Sequence, residues 1–193
     1  MLSPEPLITI STAAALLLGM SLALVAVVVT TRRDSPILIT ITGVAVAVML
    51  TAVVVVPVPL PPAVSFPLAL LGSAVAVVGG NPFTRDVLRR ATAGAVREGE
   101  HGGILLRTTR EGDAAVREVL LGGTTIGYLE RVAATVTILV GFPEGLAVVV
   151  ALKGIGRFSE LASSEARERF IIGTLASLVW ACAVAATVRF AVW

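Results

Sequence analysis

A small set of charged residues in the last third of the chain is the place where chemistry would be expected. Glu130 and Arg131 lie in one mostly apolar stretch, and Lys153, Arg157 and Glu160 lie in the next. Ionised groups are costly inside a membrane, and there they often mark ion or proton sites. One interpretation is therefore an ion site, a proton site or a clamp for an anionic lipid headgroup. The other is a structural lock, in which salt bridges hold the helices together and the side chains extend to the membrane interface. We favour the lock because these residues lie near helix ends.

The expected geometry of this intramembrane charge cluster follows from a turn. The sequence GFPEG at 141–145 contains the glycine and proline residues that end helices, so we expect an antiparallel helical hairpin at about 122–141 and 145–160. Counting the same number of residues from the turn along each helix places Glu130 level with Arg157, and Lys153 lies one helical turn deeper. The same count lets Arg131 face Glu160 nearer the open end.

Other catalytic patterns are missing from the sequence. His101 and Cys182 are the only residues of their types and lie in different segments, so they form neither a catalytic triad nor a zinc site. No phosphate-binding loop or dinucleotide fingerprint is present. We expect no enzymatic activity, no cofactor and no metal site.

The composition requires lipid as the main solvent. Of the 193 residues, 56% are hydrophobic and 15% are charged, and the mean hydropathy is +0.95. A soluble domain carries about 25% charged residues. The sequence therefore predicts an all-α, polytopic transmembrane bundle of about six helices.

Charges and prolines divide the chain. Helices are expected at about 7–30, 37–56, 63–80 and 170–188 besides the hairpin, and residues 79–82 (GGNP) should end the third. The positive flank of the first helix follows it, which is typical of a retained helix and not of a signal peptide. The predicted parts are three transmembrane helices in 1–83, a cytoplasmic segment in 84–118, and the hairpin with a final helix in 119–193.

The segment 84–118 is rich in arginine but nearly neutral. An amphipathic helix is expected at 84–98, and a short strand at 104–109 should lead through a turn to another helical stretch. Seven arginines face six acidic residues, so nucleic-acid binding is not expected. Contact with membrane lipid headgroups explains the arginines.

The distribution of basic residues predicts the orientation. Under the count of six crossings, 13 of the 15 basic residues fall on one side. Positive charge favours the cytoplasmic side, so both termini are expected outside the cytoplasm of a cell membrane.

Small residues recur at every fourth position of four predicted helices. Gly19, Gly43, Gly72 and Gly173 each belong to such a stripe. Stripes of this kind let helices approach closely, in bundle packing or self-association. Chance in a chain rich in alanine and glycine is the alternative.

Four motifs stand out in about the last 70 residues of the chain: IGYLER (126–131), GFPEG (141–145), LKGIGRFSEL (152–161) and ERFIIGTLASLVWA (168–181). In these motifs the carboxy-terminal part resembles uncharacterised bacterial multi-pass membrane proteins of actinobacterial type. The resemblance implies an integral membrane protein and no known activity. Glu130, Arg131, Lys153, Arg157, Phe158 and Glu160 match the family pattern.

Three functions remain open from the sequence. An accessory or structural membrane protein, with a protein partner or as a homo-oligomer, explains the small-residue stripes and the lack of catalytic groups. A small transporter or channel subunit would use Glu130, Lys153 and Arg157 in a polar pathway. A membrane enzyme lacks the necessary aspartate or histidine set at the interface.

Overall fold

The computed structural model describes residues 4–58, 60–91, 104–110, 113–119, 123–156 and 164–193. These residues form six helices and one β-hairpin, which confirms the predicted all-α membrane bundle of about six helices. The helices are α1 (Pro4–Arg32), α2 (Pro36–Val55), α3 (Pro62–Ala91), α4 (Gly123–Leu139), α5 (Gly145–Gly156) and α6 (Ser164–Val192), and the hairpin strands are β1 (Ile104–Arg110) and β2 (Asp113–Val119).

Local chemistry sets the ends of α2. Ser35 caps its start by accepting a hydrogen bond from the backbone N–H of Leu38 at 3.4 Å. Pro36 follows at the first helical position, where its missing N–H has no helical partner to lose. Pro57 then follows the end of α2, because a proline cannot continue the hydrogen-bond ladder.

The prediction that residues 79–82 end the third helix is wrong. Helix α3 runs through Pro82 to Ala91, so residues 84–91 of the expected amphipathic helix are its last two turns. A proline inside a membrane helix is tolerated when neighbouring helices satisfy and pack around the local backbone. Pro82 is buried, and side chains from α4 and α6 donate to α3 carbonyls within two turns of it.

The strand expected at 104–109 is confirmed, but the helical stretch expected after it is wrong. The chain forms β2 there, antiparallel to β1, with Ile104 opposite Val119 and Arg110 opposite Asp113. Pairing with β1 supplies backbone hydrogen bonds to these residues and takes the place of a helix. The expected amphipathic helix beyond Ala91 lies outside the described residues.

Four helices, α1, α2, α3 and α6, are long and apolar enough to cross a membrane. The hairpin helices are shorter: α4 has 17 residues and α5 has 12. At 1.5 Å per residue these lengths are about 26 and 18 Å, against about 30 Å of hydrocarbon. The described part of α5 therefore does not cross by itself, and the count of six full crossings is not reached in the described residues.

Helix α6 lies at the centre of the bundle. Half of the most apolar 18-residue stretch of α6 is buried inside the protein, whereas 22% of the corresponding stretch of α2 is buried. It packs antiparallel to α3, since Val188 lies beside Gly72 and Trp180 beside Gly79. The shared core combines aliphatic side chains of α1, α2 and α3 with Trp180, Val184 and Val188 of α6.

The two ends of the bundle differ in charge. At one end of the bundle, α1 and α3 finish and α2 begins, and there Arg85 of α3 lies 3.9 Å from Asp34 between α1 and α2. We call this end the basic end. At the opposite end, the α4–α5 turn contains Gly141 with φ of +77°. A side chain there would lie 3.0 Å from the guanidinium of Arg189, near the end of α6.

Candidate functional site

Arg131 is almost completely buried among three helices. Its side chain, on α4, is 2% exposed. The guanidinium donates from Nε to the carbonyl of Val77 at 2.7 Å, from Nη1 to Oγ of Ser177 at 3.0 Å and from Nη2 to Oδ1 of Asn81 at 2.8 Å. One side chain of α4 is thus bonded to α3 on two of its nitrogens and to α6 on the third.

Two glycines provide the space for this arginine. A Cβ atom at Gly80 of α3 would overlap the Cδ and Nε atoms of Arg131. A Cβ atom at Gly127, one turn earlier on α4, would lie 3.1 Å from Nη1. A larger residue at either position would therefore collide with the side chain of Arg131.

The acceptors around Arg131 are neutral. A carbonyl, a hydroxyl and an amide oxygen surround the cation, and the ring of Tyr128 lies 5.0 Å from its Cζ atom. These dipoles and the aromatic face replace the hydration that a buried cation loses. The adjacent carboxylate of Glu130 adds a favourable Coulomb interaction.

Glu130 and Lys153 form a buried ion pair between α4 and α5. The Nζ atom of Lys153 donates to Oε2 of Glu130, and the two side chains are 15% and 9% exposed. The ammonium also lies 5.8 Å from the ring centroid of Phe170 on α6. Within the described residues, the second carboxylate oxygen of Glu130, Oε1, is buried without a hydrogen-bond partner.

The predicted charge cluster is therefore divided between two environments. Glu130 meets Lys153 in the described structure, whereas equal counting placed it level with Arg157. Arg131 does not turn towards the second hairpin helix, as expected, but between α3 and α6, because Gly80 leaves room there and acceptors line the space. Arg157 and Glu160 lie outside the described residues.

The sequence interpretation missed the neutral partners. Asn81 is the only asparagine of the chain and lies in an uncharged run of 50 residues, which is a signal for an intramembrane acceptor. Ser177 lies four residues after Gly173 in the small-residue stripe of α6, a pattern that indicates packing and not hydrogen bonding. The carbonyl of Val77 carries no sequence signal, because every residue has one.

A second polar contact joins α3 and α6 next to this site. The indole Nε1 of Trp180 donates to the carbonyl of Val75 at 3.1 Å. Its ring lies against Gly79, where a Cβ atom would overlap the indole, and 5.1 Å from the ring of Phe83. The α3 backbone is therefore bonded by a side chain of α4 at Val77 and by one of α6 at Val75.

The predicted packing glycines differ in how closely they are approached. A Cβ atom at Gly72 would overlap Val188, and one at Gly19 would lie 2.7 Å from Sδ of the flexible Met49. At Gly43 and Gly173 the nearest atoms are 3.6 Å away, an ordinary contact. The tightest approaches are on α3, at Gly72, Gly79 and Gly80, and Gly79 was not among the predicted residues.

The described residues contain no group of three or more His, Cys, Asp or Glu side chains arranged to hold a metal ion. Comparison with protein-family models, with curated proteins and with solved structures finds no match to this chain.

Proposed function

We propose that this chain is an accessory, partner-binding integral membrane protein of a bacterial cell membrane, with both termini outside the cytoplasm. Its buried charges act as a structural lock that holds the α4–α5 hairpin to the bundle. The observation that carries the proposal is the hydrogen bonding of Arg131, which ties α4 to α3 and α6.

The lock has two steps. Arg131 fixes α4 in the bundle, and the Glu130–Lys153 pair then fixes α5 to α4. Breaking a buried pair by removing one partner costs about 3–5 kcal/mol, because the other charge stays buried and unpaired. The Glu130–Lys153 pair, together with the hydrogen bonds of Arg131, therefore supports a hairpin whose α5 has one buried residue, Gly145.

The outer face of α5 supports the partner-binding part of the proposal. Val148, Leu152 and Ile155 are between 58% and 77% exposed. A helix of 12 described residues that packs mainly against α4 leaves an apolar face for a partner helix, a second copy of the chain or lipid. The resemblance of the hairpin region to bacterial multi-pass membrane proteins is consistent with this setting.

A small transporter or channel subunit is the second candidate, and one observation favours it. Oε1 of Glu130 is buried and has no hydrogen-bond partner in the described part of the chain. An unsatisfied carboxylate oxygen in a membrane helix is a place where a proton or a cation binds. In this alternative Lys153 would release Glu130 during transport, and Arg157 would take part in the same pathway.

Exchange of the paired charges tests both candidates. Glu130→Lys and Lys153→Glu are made singly and together, and the fraction of folded protein is measured in mild detergent, with Glu144→Lys in the exposed turn as the matched control. The lock predicts a large loss in each single variant, recovery in the double variant and no loss in the control.

Two further measurements separate the candidates. Native mass spectrometry of the protein released gently from the membrane should show a retained partner subunit. Ion flux through proteoliposomes should be absent in both the wild type and the double variant. Flux in the wild type that disappears in a correctly folded double variant would establish the transporter and reject the accessory role.

A further inference from the structure

The basic end of the bundle carries an excess of positive charge. Where α1 and α3 end and α2 begins, five arginines and two aspartates leave three positive charges in excess; these residues are Arg32, Arg33, Arg85, Arg89, Arg90, Asp34 and Asp86. Helix α6 begins at the same end, since Gly173 lies beside Thr84 and Leu88, and its residues 164–169 add two arginines and two glutamates, which leave the excess unchanged. This end lies where long apolar helices stop, at the level of lipid headgroups.

Both aspartates are already engaged within the protein. Asp86 is 7% exposed and accepts a hydrogen bond from Nε of Arg90 at 2.8 Å. Arg90 also donates from Nη2 to Oγ1 of Thr40 at 2.8 Å, which holds it against α2. Asp34 lies 3.9 Å from Arg85. These contacts account for both aspartates of this group.

Three exposed arginines of this group remain. Arg32, Arg33 and Arg89 are exposed, and no ion pair to them occurs within the described ranges. Arg89 lies one turn beyond Arg85 on the same face of α3, and Arg85 reaches Asp34, the residue after Arg33. The three guanidinium groups therefore belong to one surface, which we call the arginine surface and define by Arg32, Arg33 and Arg89.

An apolar stripe of α1 leads directly to this surface. Leu18, Leu22, Val25 and Val29 lie on one face of the helix and are between 40% and 62% exposed. Arg32 follows Val29 by three residues, so it continues the same face. An acyl chain that lies along the stripe places its phosphate at the arginines.

We propose that the arginine surface binds the phosphate headgroup of an anionic phospholipid, with an acyl chain along the α1 stripe. A planar guanidinium donates two parallel hydrogen bonds to phosphate oxygens, which an ammonium group cannot do. The apolar stripe identifies a lipid, and not free phosphate, as the ligand. This inference is independent of the proposed function, because neither the lock nor a partner enters it.

Lipid binding to the full-length protein in neutral detergent tests the inference. Short-chain phosphatidylglycerol is titrated against wild type and against the triple variant Arg32→Gln, Arg33→Gln, Arg89→Gln, with short-chain phosphatidylcholine as the neutral lipid. We expect wild type to prefer phosphatidylglycerol, and the triple variant to bind it at least about tenfold more weakly with unchanged phosphatidylcholine binding.

Arg189→Gln is the matched control, since it removes one arginine at the opposite end, where Arg189 stacks 4.6 Å from the centroid of the Trp193 ring. This variant should bind phosphatidylglycerol like wild type. If the triple variant fails to fold, Arg89→Gln alone is measured and should weaken binding about threefold. Equal weakening by Arg189→Gln, unchanged binding in the arginine variants, or complete competition by millimolar inorganic phosphate would overturn the proposal.

Discussion

The α1–α2 pair and the α3–α4–α6 region solve the same packing problem in different ways. Between α1 and α2, the contacts are aliphatic or involve methionine, and hydroxyls donate within their own helix, as Thr42 does to the carbonyl of Leu38 at 2.8 Å. In the α3–α4–α6 region, Arg131 and Trp180 donate to groups on other helices. One region packs by shape, and the other adds directed hydrogen bonds.

The difference shows what specifies helix partners in lipid. Apolar side chains gain little from leaving lipid for another helix, so packing and hydrogen bonds decide which helices associate. Of the two short helices, α5 has one buried residue, whereas the longer α2 has four, so apolar packing alone holds α5 weakly. The polar contacts are concentrated where these short helices join the bundle.

Removal of the arginine should produce the largest effect. We expect Arg131→Ala to lower the free energy of unfolding by about 3–5 kcal/mol, since it creates a cavity and leaves the acceptors on Asn81 and Ser177 without their donor. Unfolding in mixed micelles with increasing denaturing detergent measures it. Arg189→Ala, at the opposite end, should cost less than about 1 kcal/mol; similar losses in both would contradict the comparison.

Substitution of the closely packed α3 glycines by alanine should produce the second-largest loss of stability. Gly79→Ala or Gly80→Ala places a Cβ atom against Trp180 or Arg131, and we expect a loss of about 1–3 kcal/mol. The matched change in the α1–α2 region is Gly43→Ala, where the nearest atom is 3.6 Å away. That variant should be neutral or up to about 1 kcal/mol more stable, through higher helix propensity. The same unfolding assay compares them, and destabilisation by Gly43→Ala would count against the distinction.

Loss of the indole hydrogen bond should have a moderate effect. Trp180→Phe keeps an aromatic ring but removes the donor to the carbonyl of Val75, and we expect a loss of about 1 kcal/mol or slightly more from the smaller ring. The indole fluorescence of Trp180 cannot report on this variant, so unfolding is followed by circular dichroism. A variant as stable as wild type would show that the hydrogen bond contributes nothing.

Two hydroxyl deletions give the finest comparison. Ser177→Ala removes an acceptor of Arg131 and should cost about 1 kcal/mol, whereas Thr42→Val removes a bond within one helix and should change stability by less than about 0.5 kcal/mol. Combining Ser177→Ala with Arg131→Ala should cost no more than Arg131→Ala alone. Additive losses would mean that the two side chains act independently.

Much of the fold is visible in the sequence because it follows from local rules. Long apolar runs predict α1, α2 and α6, and the prolines between α2 and α3 predict the break there. The end of α3 and the second strand were mispredicted, since tertiary contacts overrode the signal of residues 79–82 and pairing with β1 overrode helix preference.

The candidate site was only partly predictable. Glu130, Arg131 and Lys153 stand out as charges in apolar stretches, but their partners depend on how each helix is rotated. A rotation of one residue, 100° on a helix, decides whether Arg131 faces α5 or the space between α3 and α6. Asn81 offered a signal through its type, whereas the carbonyl of Val77 offered none.

By itself, the sequence determined that this chain needs lipid, which segments become helices and which charged residues are costly to bury. Those properties depend on composition and on contacts between near neighbours in the chain. Only the tertiary structure decided that Lys153 pairs with Glu130 and that Arg131 bonds to α3 and α6. These contacts join residues 23 to 54 positions apart, and their geometry depends on glycines that leave space on a different helix.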